Sequence, residues 1–179
     1  NGGSDKVAYF VQFNGQYQDG IYEKSATNFN LYNLRSNVDI QVTNSLKLGL
    51  DISARQQHKN YSAYPSDSYG IFYVAMRAFP YTAPYYPDGK IRNLKEGQNA
   101  AVYVQDITGY DKTTINTINT TFSANWDLGF ITKGLSVNGK MAYDVVSNFR
   151  KNWKTPWTCY DYDQVKEEYI EKKSHATTP

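Results

Sequence analysis

Acidic and basic side chains share one face of a predicted hairpin, and their types and spacing suit catalysis better than any others in this sequence. Asp39 and Asp51 fall on the polar side of two alternating segments that are joined by a short turn. Paired carboxylates can act as general acid and general base in hydrolysis. Arg35, Lys47 and Arg55 lie on the same side. Because basic residues lie beside both acids, the sequence predicts ion pairs here, and no enzyme activity.

The other reactive residue types stand alone in the sequence. His58 and His175 are far apart, and neither has a cysteine or carboxylate at the spacing of metal ligands. Cys159 is the single cysteine, so an internal disulfide is excluded, and no neighbouring base would activate its thiol. We therefore predict no catalytic residue, no metal site and no cofactor. The net charge of +2, without a basic run, argues against nucleic acid as a partner.

Strict alternation of apolar and polar residues predicts about five long strands, at 7–18, 29–42, 46–57, 113–128 and 135–150. The 17 tyrosines, which raise the aromatic share to 16%, also favour β-structure. One face of these strands is polar and the other apolar. The polar face carries Arg35, Asn37, Asp39, Lys47, Asp51 and Arg55. The apolar face carries Leu34, Val38, Ile40, Leu48, Leu50, Ile52, Phe122, Trp126, Val137, Met141 and Tyr143.

Short turns near Asn44 and Lys133 alternate with long connections, notably the loop 58–112 and the C-terminal loop 157–179. This asymmetry is typical of an antiparallel up-and-down transmembrane β-barrel, which has short periplasmic turns and long extracellular loops. The apolar face would then contact lipid and the polar face would line the lumen. A soluble β-sandwich also has alternating strands, but its strands usually run about 5–6 residues.

The long loop is rich in aromatic residues, which can stack on sugar rings or form a protein interface. The alternative is that they pack the loop against itself. The candidates for substrate or partner contact are Tyr64, Tyr69, Phe72, Tyr73, Phe79, Tyr81, Tyr85 and Tyr86. In the C-terminal loop, Glu168 and Lys172 have the i,i+4 spacing of a helix, which is typical of a solvated face.

Several stretches resemble one family in their order and spacing. They are Gly2-Gly3-Ser4-Asp5-Lys6 with Gln18-Asp19-Gly20, Tyr32-Asn33-Leu34-Arg35-Ser36-Asn37, Pro84-Tyr85-Tyr86-Pro87-Asp88-Gly89, and Lys133-Gly134-Leu135-Ser136. The sequence is similar here to the SusC/RagA-type TonB-dependent transporters of Bacteroidota. That resemblance implies a 22-stranded barrel with a plug, located in the bacterial outer membrane.

The resemblance also implies a function and partners. Such a transporter imports glycans or peptides together with a SusD-like surface lipoprotein, and it draws energy from the TonB complex through N-terminal parts that are missing here. The plug domain is missing too, so residues 1–179 are expected to be part of a larger barrel domain. Two other functions stay open: a soluble all-β carbohydrate-binding module that uses the Tyr-rich loop, and a structural or adhesin barrel.

Overall fold

The fold is mostly antiparallel β-structure, as the alternation predicts. A computed structural model describes residues 1–64, 70–94 and 99–173. Two short helices and a 3-10 turn at Asp106–Thr108 interrupt the strands. The elements are β1 (Gly2–Gly3), β2 (Val7–Asp19), β3 (Asn28–Gln41), β4 (Leu46–Ser62), α1 (Ile71–Arg77), α2 (Ala100–Tyr103), β5 (Gly109–Asp127), β6 (Ser136–Lys154), β7 (Thr158–Asp163) and β8 (Glu168–Lys173).

The strands β1 to β6 form one sheet in which each strand lies beside its neighbour in sequence. Tight turns make this order possible. In the turn before β4, the Thr43 hydroxyl accepts a hydrogen bond from the Leu46 amide at 3.0 Å. In the turn before β6, Gly134 has a φ of 84°, which a residue with a Cβ rarely adopts. The sheet is therefore an up-and-down meander.

Three strands run past their predicted ends: β4 continues to Ser62, β5 begins at Gly109 and β6 continues to Lys154. The predicted ends lie only a few residues beyond the apolar runs, which stop at Ala54 in β4 and begin at Ile118 in β5. Past residue 57 the pairing rests on polar side chains: His58 Nδ1 lies 3.0 Å from the Thr114 hydroxyl, and Asn60 Nδ2 donates to Asn28 Oδ1 at 2.6 Å. Polar pairs stabilise the pairing of two strands as apolar pairs do. They produce no alternation of apolar and polar residues, however, so the sequence does not reveal them.

The chain divides into two compact units. Unit 1 comprises residues 1–17, 30–58 and 114–149, and unit 2 comprises residues 18–29, 59–113 and 150–179. In the described part of unit 1, the residues belong to the sheet and its turns.

Unit 2 has a small apolar core. In α1, Ile71 and Val74 are one helical turn apart and are buried, and Val102 and Tyr103 of α2 are buried with them. The Asn99 side chain caps α2 by accepting from the Ala101 amide at 3.2 Å. The described part of the predicted long loop thus contains two helices and a core of its own.

The predicted C-terminal loop contains a hairpin, in which β7 pairs antiparallel with β8. Glu168 and Lys172 therefore lie on a strand rather than on a helix, although both side chains are exposed. The turn explains the difference. The Asp163 carboxylate accepts from the Val165 amide at 2.9 Å, and the Tyr162 and Tyr169 rings then meet across the strands at 5.2 Å. Such cross-strand aromatic pairs favour a hairpin over a helix.

Candidate functional site

The polar face of unit 1 holds a cross-strand network. Lys47 Nζ lies 3.5 Å from Asp39 Oδ2, and Asn119 Nδ2 donates to Asp144 Oδ1 at 2.8 Å. A Cβ built at Gly49 would lie 2.5 Å from the Ser123 hydroxyl, so the side chains of this face approach closely. The network joins β3 to β4 and β5 to β6 through polar groups, as suits a face in contact with water.

The predicted polar residues are all found on these strands, and one of the expected ion pairs is present. Within the described part of the chain, Asp51 has no cation within ion-pair distance, and Lys47 pairs only with Asp39. The Arg35, Asp39, Lys47, Asp51 and Arg55 side chains are exposed, and Asn37 is half-buried. An exposed pair of this kind contributes about 0.2–1 kcal/mol.

The opposite face of unit 1 is apolar and uncovered. Eight of the eleven predicted lipid-facing residues are exposed in the structure. They are Leu34, Ile40, Leu50, Phe122, Trp126, Val137, Met141 and Tyr143. The other three, Val38, Leu48 and Ile52, are half-buried by their neighbours in the sheet. In the described part of unit 1, no second layer packs on this face.

His58 is engaged on both sides of its ring. Its Nδ1 lies 3.0 Å from the Thr114 hydroxyl, and its Nε2 lies 3.0 Å from Gln56 Oε1. A metal would have to displace one of these partners. Among the described residues, no group of three or more His, Cys, Asp or Glu side chains could hold a metal ion.

Four of the predicted aromatic contact residues are half-buried in unit 2. Tyr64 stacks on Tyr103 with ring centroids 4.1 Å apart, and burial raises the pKa of Tyr103 to about 12. The Tyr85 hydroxyl accepts from Gln105 Nε2 at 2.7 Å. Tyr73 and Tyr86 each carry an arginine over the ring, Arg77 at 5.0 Å and Arg92 at 4.5 Å. These four rings pack the loop against itself.

Three other predicted aromatic residues are exposed. Phe79 and Tyr81 stack on each other with centroids 5.4 Å apart, and Tyr81 is 81% exposed. Phe72 is tilted against Tyr22 at 6.0 Å. These three rings remain candidates for contact with a substrate or partner. Tyr69 lies outside the described residues.

Unit 2 contains two adjoining clefts that the sequence analysis did not predict. They have volumes of about 540 and 460 Å³, and both are lined by Ile21, Tyr22 and Ile71. Phe29, Tyr61 and Phe72 line the smaller cleft, and Tyr85 lines the larger. Ile21 and Tyr22 sit in a short polar connection, where no periodicity marks them. Apolar walls with a few polar groups are typical of ligand clefts.

Cys159 gives a direct measure of whether unit 2 is folded. Its side chain is 2% exposed, and burial raises the pKa of its thiol. The reactive thiolate is therefore scarce at neutral pH, and reagent reaches it only after the unit opens. We expect a maleimide to react on the order of 100-fold more slowly with the folded chain than in denaturant. Equal rates in the two conditions would contradict the buried position.

Comparison with known proteins gives no family to which the chain can be assigned. No helix in the described part of the chain is long and apolar enough to span a membrane. No protein-family model matches the sequence, and no curated protein matches it.

Proposed function

We propose that this chain forms part of the wall of an outer-membrane β-barrel that imports nutrients in a TonB-dependent manner. One observation carries the proposal: five strands of a single sheet expose an apolar face on one side and a polar network on the other. In the proposed membrane, the apolar face contacts lipid and the polar face borders the lumen.

The exposed apolar face is too extensive for a protein surrounded by water. Soluble monomers rarely expose contiguous apolar patches above a few hundred Å². Here large side chains such as Phe13, Phe122, Met141 and Phe149 are exposed from β2 to β6. Each apolar Å² removed from water contributes roughly 25 cal/mol, so a bilayer would stabilise the sheet in this form.

The height of the apolar face fits a bilayer. The apolar run covers 46–54 in β4 and 118–126 in β5. Roughly nine residues at ~3.3 Å each, tilted by ~40°, span about 23 Å along the membrane normal. Barrels of the outer membrane have an apolar band ~25 Å tall. The polar pair Gln56–Asn116 begins where the run ends, as expected at the boundary with water.

The free backbone edges support closure into a barrel. Within the described residues, β6 pairs with β5 on one side and has no strand on the other. Unpaired backbone groups are not tolerated inside a bilayer, because each costs several kcal/mol. We therefore propose that β6 pairs with a further strand of a closed barrel, with 22 strands as the resemblance to SusC-type transporters implies.

The resemblance also supports the cargo and the partners. SusC-type transporters take up glycans or peptides with a SusD-like surface lipoprotein. Unit 2 offers surfaces for such contacts, namely the exposed Phe79–Tyr81 pair and the two clefts beside Tyr22. The long connections would then be extracellular, and the chain would act as an importer rather than an enzyme.

A cysteine scan along β6 tests the membrane wall. With Cys159 replaced by alanine, single cysteines at Val137, Met141 and Tyr143 are compared with cysteines at Asn138 and Ala142. In vesicles that contain the assembled barrel, we expect the first three to resist a membrane-impermeant maleimide and the other two to react, because the strand alternates between lipid and lumen. Uniform labelling of all five positions would exclude the proposed wall.

A second candidate is a carbohydrate-binding module in water, favoured by the stacked and exposed Phe79 and Tyr81 rings. Exposed aromatic rings suit stacking on sugars. This function requires a soluble, cooperatively folded chain that binds sugar without a membrane. Loss of sugar binding in Tyr81→Ala, with no membrane requirement, would favour it.

A further inference from the structure

Two lysines from neighbouring strands converge on one tyrosine ring in unit 2. Lys112 Nζ of β5 lies 5.1 Å from the Tyr110 ring centroid, and Lys151 Nζ of β6 lies 5.8 Å from the same centroid. Both lysine side chains are exposed, and the tyrosine is half-buried. The ring faces attract both cations, but the two positive charges repel each other.

Within the described residues, no carboxylate lies within ion-pair distance of Lys112 or Lys151. The nearest acid in sequence, Asp111, points to the other face of β5 and is held there by Arg150, whose Nε and Nη2 donate to it at 3.0 and 2.5 Å. The cluster of Tyr110, Lys112 and Lys151 therefore carries two uncompensated positive charges.

The three residues of the cluster continue the alternation of the apolar residues in β5 and β6, so they occupy the positions that the apolar residues occupy farther along each strand. In β5, Tyr110 and Lys112 precede the apolar run that begins at Ile118, and in β6, Lys151 follows the end of the run at Phe149. Trp153 is the next residue of this set in β6 and is 62% exposed. Lysines and aromatic residues at the end of a lipid-facing run are typical of the membrane–water interface.

We propose that Lys112 and Lys151, which both lie over the Tyr110 ring, bind the phosphate group of a membrane lipid. The inference rests on the proposed function, because it places this end of the apolar run at the level of the lipid headgroups. Two ammonium groups with three donors each match a phosphate, whose charge would offset their mutual repulsion. In the proposed membrane, the phosphate within reach of the two lysines belongs to a lipid headgroup, so the ligand is a lipid and not a free phosphate.

Binding of phosphatidic acid provides the test. The full chain, assembled with the other strands of its barrel, is inserted into phosphatidylcholine vesicles with or without phosphatidic acid, and lipid bound to the extracted protein is titrated by native mass spectrometry. We expect the double variant Lys112→Gln/Lys151→Gln to bind phosphatidic acid about 30-fold more weakly, and each single variant about fivefold more weakly. The matched control Lys133→Gln/Lys140→Gln removes the same charge elsewhere and should leave the affinity unchanged.

The outcomes separate the two proposals. Failure of the assembled barrel that contains the wild-type chain to float with phosphatidylcholine vesicles would contradict the membrane wall itself. Flotation with equal affinity for phosphatidic acid and phosphatidylcholine would overturn the lipid site alone. An equal loss in the control variant, or inorganic phosphate binding as tightly as phosphatidic acid, would also overturn it.

Discussion

Met141→Arg is expected to lower the free energy of unfolding in vesicles by about 2–4 kcal/mol, the cost of a cation near the bilayer midplane. Met141 lies on the apolar face of β6 and is 68% exposed. In water, an arginine at so exposed a position would change stability by no more than about 0.5 kcal/mol. The size of the stability loss in Met141→Arg therefore shows whether lipid or water surrounds the apolar face of β6. Urea titration of the assembled, vesicle-inserted barrel that contains this chain, followed by tryptophan fluorescence, measures it.

Ala142→Arg is the matched control for this change. Ala142 is the next residue of β6, also exposed, and its side chain points to the polar face. Because a lumen-facing arginine stays in water, we expect a loss of less than about 1 kcal/mol. Equal losses in the two variants, or a Met141→Arg chain as stable as the wild type, would mean that the apolar face does not contact lipid.

Trp157→Ala is expected to destabilise unit 2 by about 3–5 kcal/mol, the usual cost of removing a buried tryptophan. Trp157 is 4% exposed and meets Tyr103 and Tyr64 edge-on, with ring centroids 5.5 and 5.9 Å away. The substitution would leave a cavity where the indole now packs against the Tyr103 and Tyr64 rings. The rate at which Cys159 reacts with maleimide in increasing urea gives the stability of this unit.

Two variants make the test of this core specific. Trp157→Phe keeps an aromatic edge and should lose only part of the stability. Trp153→Ala makes the same deletion at an exposed position, where we expect a loss of at most about 1 kcal/mol. If Cys159 reacted equally fast in Trp157→Ala and Trp153→Ala, Trp157 would not be needed for the stability of unit 2.

The long strands could be predicted because their signal is local. The alternation between Leu46 and Ala54 depends only on which side of one strand faces the apolar environment. The extension of β4 to Ser62 could not be predicted in this way. It depends on pairs such as His58 with Thr114, whose partners are 56 residues apart in sequence. The hairpin of β7 and β8 was missed for a similar reason, since its tyrosine pairs form only across the turn.

The functional surfaces were harder to predict than the strands. Tyr64 and Tyr81 are both tyrosines of the same long connection. Tyr64 packs edge-on against Trp157, whereas Tyr81 is exposed. Only tertiary packing separates them. Tyr110, Lys112 and Lys151 follow the alternation of their strands in sequence, but only the folded structure brings both lysines over the one tyrosine ring.

The order of the strands has a consequence for how the chain folds. Each strand of the sheet pairs with its neighbour in sequence, and β3 and β4 are joined by a tight turn. The pairing of β4 with β5 instead closes the connection from Ser62 to Gly109. A loop ten times longer costs about 2 kcal/mol more to close. Early packing of α1 against α2 would shorten the flexible part of this connection. The two helices would therefore speed the pairing of β4 with β5, which is the slowest pairing expected in the sheet.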